Sequence, residues 1–260
     1  MELHASAQFA SRLEYLPETG STNTDLLALA VNSPELWGDF SVLLTDNQTA
    51  GRGRLDREWV TQPGSALAVS VLLRPVSFGI EKFGWLPLLA GLAMQRAVAS
   101  LVEDAEVSLK WPNDVLVAGE KISGLLAEVL PDGKGVVIGA GLNLNQSKDE
   151  LPIETATSLR LHGVQGFELD DVLVRYLASF KRLYEEFSDA KGNAEESGLH
   201  EAILNASSTI GAKVLVMLPD GSDFSGTGAG LDHDGRLLVA LSDPVEIRAV
   251  AAGDIKHLRQ

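Results

Sequence analysis

Cysteine is absent from the 260 residues, which excludes disulfides, thiolate metal sites and a cysteine nucleophile. Also missing is any apolar run near the ~20 residues needed to cross a bilayer. Residues 1–13 show no basic start leading into an apolar stretch and a small-residue cleavage site. No membrane span and no secretory signal are therefore expected, and a cytoplasmic location is the simplest expectation. Basic residues are scarce, with 21 Lys and Arg against 36 Asp and Glu, for a formal net charge of -15. That balance disfavours nucleic acid as a partner, because neutralising a phosphate backbone takes a basic stripe. The five histidines are scattered without metal-ligand spacing. There is no Gly-x-Ser-x-Gly elbow, no phosphate-binding P-loop, no internal repeat and no low-complexity tract.

What is present reads as a soluble globular chain, 45% hydrophobic and 22% charged, long enough for one large domain with or without a small appendage. Thr22 to Ala30 predicts a helix, opened by residues able to cap it and faced by Leu26, Leu27 and Leu29. Strands are expected at 41–45 and 67–73, then a helix over about 81–102 with Pro87 in its first turns. Three more strands, at 107–111, 124–130 and 135–140, are separated by turn residues that favour antiparallel pairing of near neighbours. A helix at about 169–187 carries Leu173, Tyr176, Leu177, Phe180 and Tyr184 at helical spacing. After about Asn205 the pattern changes to short strands at 213–218, 224–231, 237–241 and 245–249. The fold class expected is α+β: a mixed, largely antiparallel sheet packed with helices, followed by a small β-barrel. The division is placed at 1–206 and 207–260.

Chemistry concentrates in three segments. Residues 48–59 hold Gln48, Gly51, Arg52, Gly53, Arg54, Arg57 and Trp59. Glycines let backbone approach a ligand, and clustered guanidiniums offer forked donors for carboxylate or phosphate oxygens. Trp59 could supply an aromatic surface for a base. Read alone, the segment is equally an exposed basic loop with a buried Trp. Lys110-Trp-Pro-Asn113-Asp114 precedes Lys121 and Gly124, where a lysine can serve as a point charge on a transferring group or simply decorate a surface hairpin. Gly139-x-Gly141-x-Asn143 is no dinucleotide fingerprint, since the third glycine is missing. Locally it describes a strand ending in exposed Asn amides.

In this order, Ser21-Thr22-Asn23, the Gly51-to-Arg54 loop with Arg57 and Trp59, Lys110 to Asp114, Lys121 with Gly124, and Gly139-x-Gly-x-Asn143 resemble the catalytic domain of the biotin protein ligases. The C-terminal strands resemble that family's SH3-like domain, so the resemblance covers nearly the whole chain. It implies ATP-dependent activation of biotin to biotinyl-5'-AMP, with Mg2+ accompanying the nucleotide. Transfer to a lysine of a biotin carboxyl carrier protein would follow.

The resemblance further implies that Ser21, Thr22, Asn23 and Gln48 hold biotin's polar ring or line its pocket, Gly124 with them. Arg52, Gly53 and Arg54 would form a loop closing over it, with Lys121 at the carboxylate and α-phosphate. Arg54, Arg57, Trp59, Asn113 and Asn143 fall on the nucleotide side, Trp59 beside the adenine. Lys121, Arg52 and Asp114 are the candidate catalytic residues. Asp114 is expected to orient or deprotonate the acceptor amine, because a free lysine titrates near ~10.4 and is protonated near neutral pH. A turn residue or Mg2+ ligand is its other reading.

An adenylate must be kept from water, so residues 51–56 and the connection 146–159 are expected to cover it. Some members of the family carry a DNA-binding winged helix ahead of the catalytic domain. With Ser21 so near the start, none is expected here, nor sequence-specific DNA binding. The rivals are a lipoate protein ligase, disfavoured by the Arg-Gly-Arg loop, and a non-catalytic biotin or nucleotide sensor, disfavoured by Lys121 and the arginine cluster.

Overall fold

Alternation of side chains along two central strands decides where the site lies. The computed structural model describes residues 3–54, 57–59 and 61–258. Strands β1 (Arg12–Tyr15) and β2 (Ser41–Thr45) flank helix α2 (Thr22–Asn32), which follows a short helix α1 (His4–Ala7). A two-residue ribbon, β3 (Gly51–Arg52) with β4 (Glu58–Trp59), precedes β5 (Ala66–Leu73) and α3 (Trp85–Ala99). Then come β6 (Val107–Lys110), β7 (Asp114–Val117), β8 (Glu120–Val129), β9 (Val136–Asn143), α4 (Leu169–Asp189) and α5 (Leu199–Ala206). β10 (Lys213–Met217), β11 (Asp223–Leu231), β12 (Leu237–Ser242), β13 (Val245–Val250) and β14 (Asp254–His257) close the chain.

The main sheet has seven strands in the order β1-β2-β5-β9-β8-β7-β6, parallel only between β1 and β2. Its β5 and β9 turn Val69, Val71, Ile138 and Leu142 into the larger core, against the buried side chains of α3 and α4. Their alternate residues face the other way, as period two requires. There Leu72 and Val137 pack with Leu26 and Ala30 of α2 in a second core, while Ala68, Gly139, Gly141 and Asn143 line a cleft.

α3 is buried nearly all round, so periodicity marks its existence but not its face. Pro87 sits at its third residue, where a missing N–H costs no helical bond. α4 has the cleaner stripe, with Val172, Leu173, Tyr176, Leu177, Phe180, Leu183, Tyr184 and Phe187 buried at i, i+3, i+4 spacing.

The 107–130 region departs from expectation. A strand, β7, stands where only a turn was expected, and β8 begins at Glu120 rather than 124. A register shift between Val115 and Leu116 on the β7–β8 pair reconciles the two lengths. β9 also runs on to Asn143, pairing with β5 and β8. Asn143 is consequently buried at 5% exposure instead of standing exposed at a strand end.

The last five strands form an antiparallel sheet, β13-β12-β11-β10-β14, compatible with the SH3-like expectation. β14 is an edge strand of that sheet and had no counterpart in the sequence reading. This sheet and the connection leading into it dock on the first part of the chain through hydrogen bonds from Trp85 Nε1 to the His233 carbonyl (3.0 Å) and from Trp111 N–H to Thr209 Oγ1 (3.1 Å). No helix among the described residues is long and apolar enough to cross a membrane.

Candidate active site

A cleft of about 260 Å³ opens on the face of the sheet that carries α2. Every candidate residue named from the sequence lines it: Ser21, Thr22, Asn23, Gln48, Arg52, Gly53, Arg54, Arg57, Trp59, Asn113, Asp114, Lys121, Gly124 and Asn143. Of the expected covering loop, Leu55 and Asp56 lie outside the described residues.

One end is a polar pocket at the start of α2. Ser21 is the N-cap, which puts Thr22 and Asn23 in the first turn with their side chains buried. Gln48 Oε1 accepts from Thr22 N–H at 3.0 Å and lies 3.3 Å from Thr22 Oγ1. That assigns its carbonyl to α2 and leaves its amide nitrogen to donate. Asn23 is held the opposite way. Its Nδ2 donates to the Leu126 carbonyl (3.2 Å) and Glu128 Oε2 (3.0 Å), and its Oδ1 lies 2.7 Å from the buried Ser70 hydroxyl. The pocket therefore presents both a donor and an acceptor to a planar polar ring.

Glycines make the floor. A Cβ on Gly139 would overlap the Asn23 side chain and one on Gly141 the Trp59 indole, while one on Gly124 would sit 2.9 Å from Lys121 Nζ. The glycine spacing thus serves side-chain seating on a flat sheet, not phosphate binding by a helix.

Beyond the floor stand the charges. Lys121 Nζ is 2.6 Å from Asp114 Oδ1, the lysine on β8 and the carboxylate at the start of β7. Lys121 N–H also donates to the Thr155 carbonyl (2.8 Å), and its own carbonyl accepts from Thr157 N–H (2.8 Å), so part of the 146–159 connection is laid along β8. Asn143 Nδ2 donates to the Thr157 carbonyl at 2.9 Å, fastening the same segment to β9. Arg54 bridges Asn113 Oδ1 (3.0 Å) and the Gly253 carbonyl (3.1 Å), and burial pulls its pKa below the usual arginine range. Lys110, behind Asp114, is also lowered, first by burial and against the pull of Asp114.

Two participants escaped the sequence reading. Asp254 of β14 ion-pairs Arg57 and lies 3.9 Å from Arg54, bringing the C-terminal sheet into the cleft. Its sequence distance left no signal. Glu128, which holds Asn23, also reaches Arg52 NH1 at 3.0 Å. The alternation Gly124, Leu126, Glu128 on one strand face was the available clue. Pro152, Ile153 and Ala156 complete the lining.

Comparison with known proteins agrees with this geometry. The profile of the Biotin/lipoate A/B protein ligase family matches residues 15–145. A biotin--[acetyl-CoA-carboxylase] ligase of Mycobacterium tuberculosis is 39% identical, over 95% of this chain and 90% of its own length. One from Paracoccus denitrificans is 30% identical, over 92% and 98%. Among solved structures, a biotin protein ligase from Aquifex aeolicus in complex with biotin and ATP superposes with a TM-score of 0.78 at 29% identity, covering 96% of this chain and 100% of that one. The Leishmania major biotin protein ligase in complex with biotinyl-5-AMP gives 0.63 at 25%, covering 93% and 99%. The chain belongs to the biotin/lipoate A/B protein ligase family.

Proposed function

We propose that this protein is a biotin protein ligase, joining biotin to ATP as biotinyl-5'-AMP with release of pyrophosphate and then passing the biotinyl group to a lysine of a biotin carboxyl carrier protein. The observation that carries the reading is the cleft itself: a donor-and-acceptor ring pocket at one end and Lys121, Arg54 and Arg57 at the other, on one glycine floor. The relatives' names and the ligands of the Aquifex and Leishmania structures point the same way.

Biotin's cyclic urea has one carbonyl acceptor and two N–H donors, matching the Gln48 amide nitrogen and the remaining acceptor capacity of Asn23 Oδ1. Ser21 and Thr22 border the same space. The valeryl chain would run over Gly124 towards Lys121. There the carboxylate must meet the α-phosphate of a polyanion, so neutralisation and in-line placement dominate the barrier. Lys121, Arg52 and Arg54 supply the positive charge, and Arg57, Trp59, Asn113 and Asn143 border the nucleotide. The carboxylate oxygen attacks phosphorus and pyrophosphate leaves.

Mg2+ would enter with the nucleotide as part of that substrate. Asp114, which lines the cleft beside Lys121, is a carboxylate able to hold it. In the second step the acceptor lysine attacks the acyl carbon, AMP departs, and the amine proton must go to a base, the part given to Asp114. Division of labour between residues 1–206 and 207–260 belongs to the same proposal.

The test is to mix the protein with Mg-ATP, an apo carrier domain and either biotin or lipoate, with Lys121→Ala as control, and to weigh the acceptor. A gain of the biotinyl mass is expected. Lipoylation, or no gain with either acid, overturns the reading.

A further inference from the structure

On β8 Gly124, Leu126 and Glu128 share one strand face; the first two line the cleft and Glu128 stands one step past its floor, beside α2. Its two carboxylate oxygens are divided. Oε2 accepts from Asn23 Nδ2 at 3.0 Å, inside the ring pocket. Oε1 is 3.0 Å from Arg52 NH1, on the ribbon that leads into the arginine loop. The same guanidinium lies 3.4 Å from Thr24 Oγ1 of α2. The Arg52 side chain thus crosses from the loop to both walls of the pocket.

An exposed arginine–carboxylate pair contributes little, because water screens it and two long side chains must be ordered. This pair is asymmetric. The Glu128 side chain is only 21% exposed against 51% for Arg52. Glu128 is also held by an amide whose other contacts, the Leu126 carbonyl and the Ser70 hydroxyl, are fixed in the sheet. Its carboxylate is preorganised, and the more exposed partner is the arginine that reaches it.

We propose that Glu128 is a positioning residue linking the ring pocket to closure of the arginine loop: one oxygen sets the Asn23 amide in its ligand-binding orientation, and the other holds Arg52 across the pocket. This rests on the reading of the pocket as the site of biotin's ring. Glu128 is not a catalytic residue, since it does not line the cleft. Its contribution appears in biotin affinity and loop protection, and little in nucleotide affinity.

The deciding variants are Glu128→Gln and Glu128→Ala in the full chain. Glutamine can still accept from Asn23 through its carbonyl, but it turns an NH2 towards Arg52, donor against donor, so the arm is released while the amide stays set. Alanine removes both contacts. Equilibrium dialysis should show biotin affinity falling about fivefold to tenfold in Glu128→Gln and further in Glu128→Ala, as loss of a charge-assisted hydrogen bond implies. The KM for ATP should change less than biotin affinity, because Arg54 and Arg57 keep their own partners on the nucleotide side. Biotin should also cease to slow trypsin at Arg52.

Arg52→Ala and Glu128→Gln should then be non-additive in biotin affinity, the double variant resembling either single one. A merely structural glutamate would give additive losses. Biotin affinity within about twofold of wild type in Glu128→Gln, or additive effects, overturns the inference. A wild type that fails to biotinylate any acceptor overturns instead the functional reading on which it rests. If Glu128→Ala fails to fold, Glu128→Gln alone decides.

Discussion

At the scale of single residues, the Lys121–Asp114 contact at 2.6 Å joins the lysine proposed to serve adenylation to the carboxylate proposed to serve transfer. Removing one preorganised electrostatic donor commonly costs ~3 kcal/mol, roughly a hundredfold in rate. Lys121→Ala is expected to slow biotin-dependent ATP–pyrophosphate exchange by that order. Asp114→Asn should lower transfer from preformed biotinyl-adenylate by about tenfold or more, within the ~10²–10⁴ range of general-base contributions. Transfer at the normal rate would leave Asp114 a turn residue or metal ligand. Gly141→Ala tests the floor: its methyl would collide with the Trp59 indole, so the KM for ATP should rise while biotin affinity changes less.

Lys110 yields a prediction of opposite sign for stability. Burial lowers its pKa, so across the window between that lowered value and the ordinary ~10.4 the unfolded chain binds more protons than the folded one. Stability therefore rises with pH through that window, and the lysine is a burden at neutral pH. Lys110→Met should raise the thermal midpoint at pH 7 and flatten its alkaline dependence, measured by calorimetry across pH. A lower midpoint would show that Lys110 contributes more through its neighbours than it costs by desolvation.

At the scale of elements, what could be read from the chain depended on how local the signal was. α4 was legible because its stripe is written over five turns. The floor was half legible: the glycines at 124, 139 and 141 were visible, but their purpose emerges only when β8 and β9 pair Gly124 with Gly141 and Leu126 with Gly139. β7 was hidden between two polar turns, and a bulge broke the expected alternation. β1, α5 and β14 are short and draw their stability from neighbours, which no local pattern reports. The last of these matters most, because Asp254 on β14 holds Arg57 and approaches Arg54. The Arg57 side chain is 64% exposed and is held by this ion pair, whereas Arg54 keeps Asn113 and Gly253. Asp254→Ala should raise the KM for ATP about fivefold, the order expected when one charge-assisted contact is lost. An unchanged KM would confine the C-terminal sheet to a structural part.

At the scale of the whole molecule, two fields of opposite sign act on an incoming nucleotide. The chain carries a net charge of -15, which repels a polyanion at long range, while Arg52, Arg54, Arg57 and Lys121 gather at the cleft and attract it at short range. The two ranges respond differently to salt. Raising ionic strength from about 0.01 M to about 0.15 M shortens the Debye length from ~30 Å to ~8 Å. That screens the distant acidic surface first and leaves contacts inside the cleft largely intact. kcat/KM for ATP should therefore rise by about twofold over this interval, then fall towards ~1 M, where screening at ~3 Å reaches the cleft itself. Biotin bears a single charge and the pocket proposed for its ring offers neutral amides and hydroxyls, so its KM should move much less. Initial-rate measurements of adenylation across a salt series separate the cases. A monotonic fall from the lowest salt would mean that the cationic cleft, and not the acidic surface, governs approach.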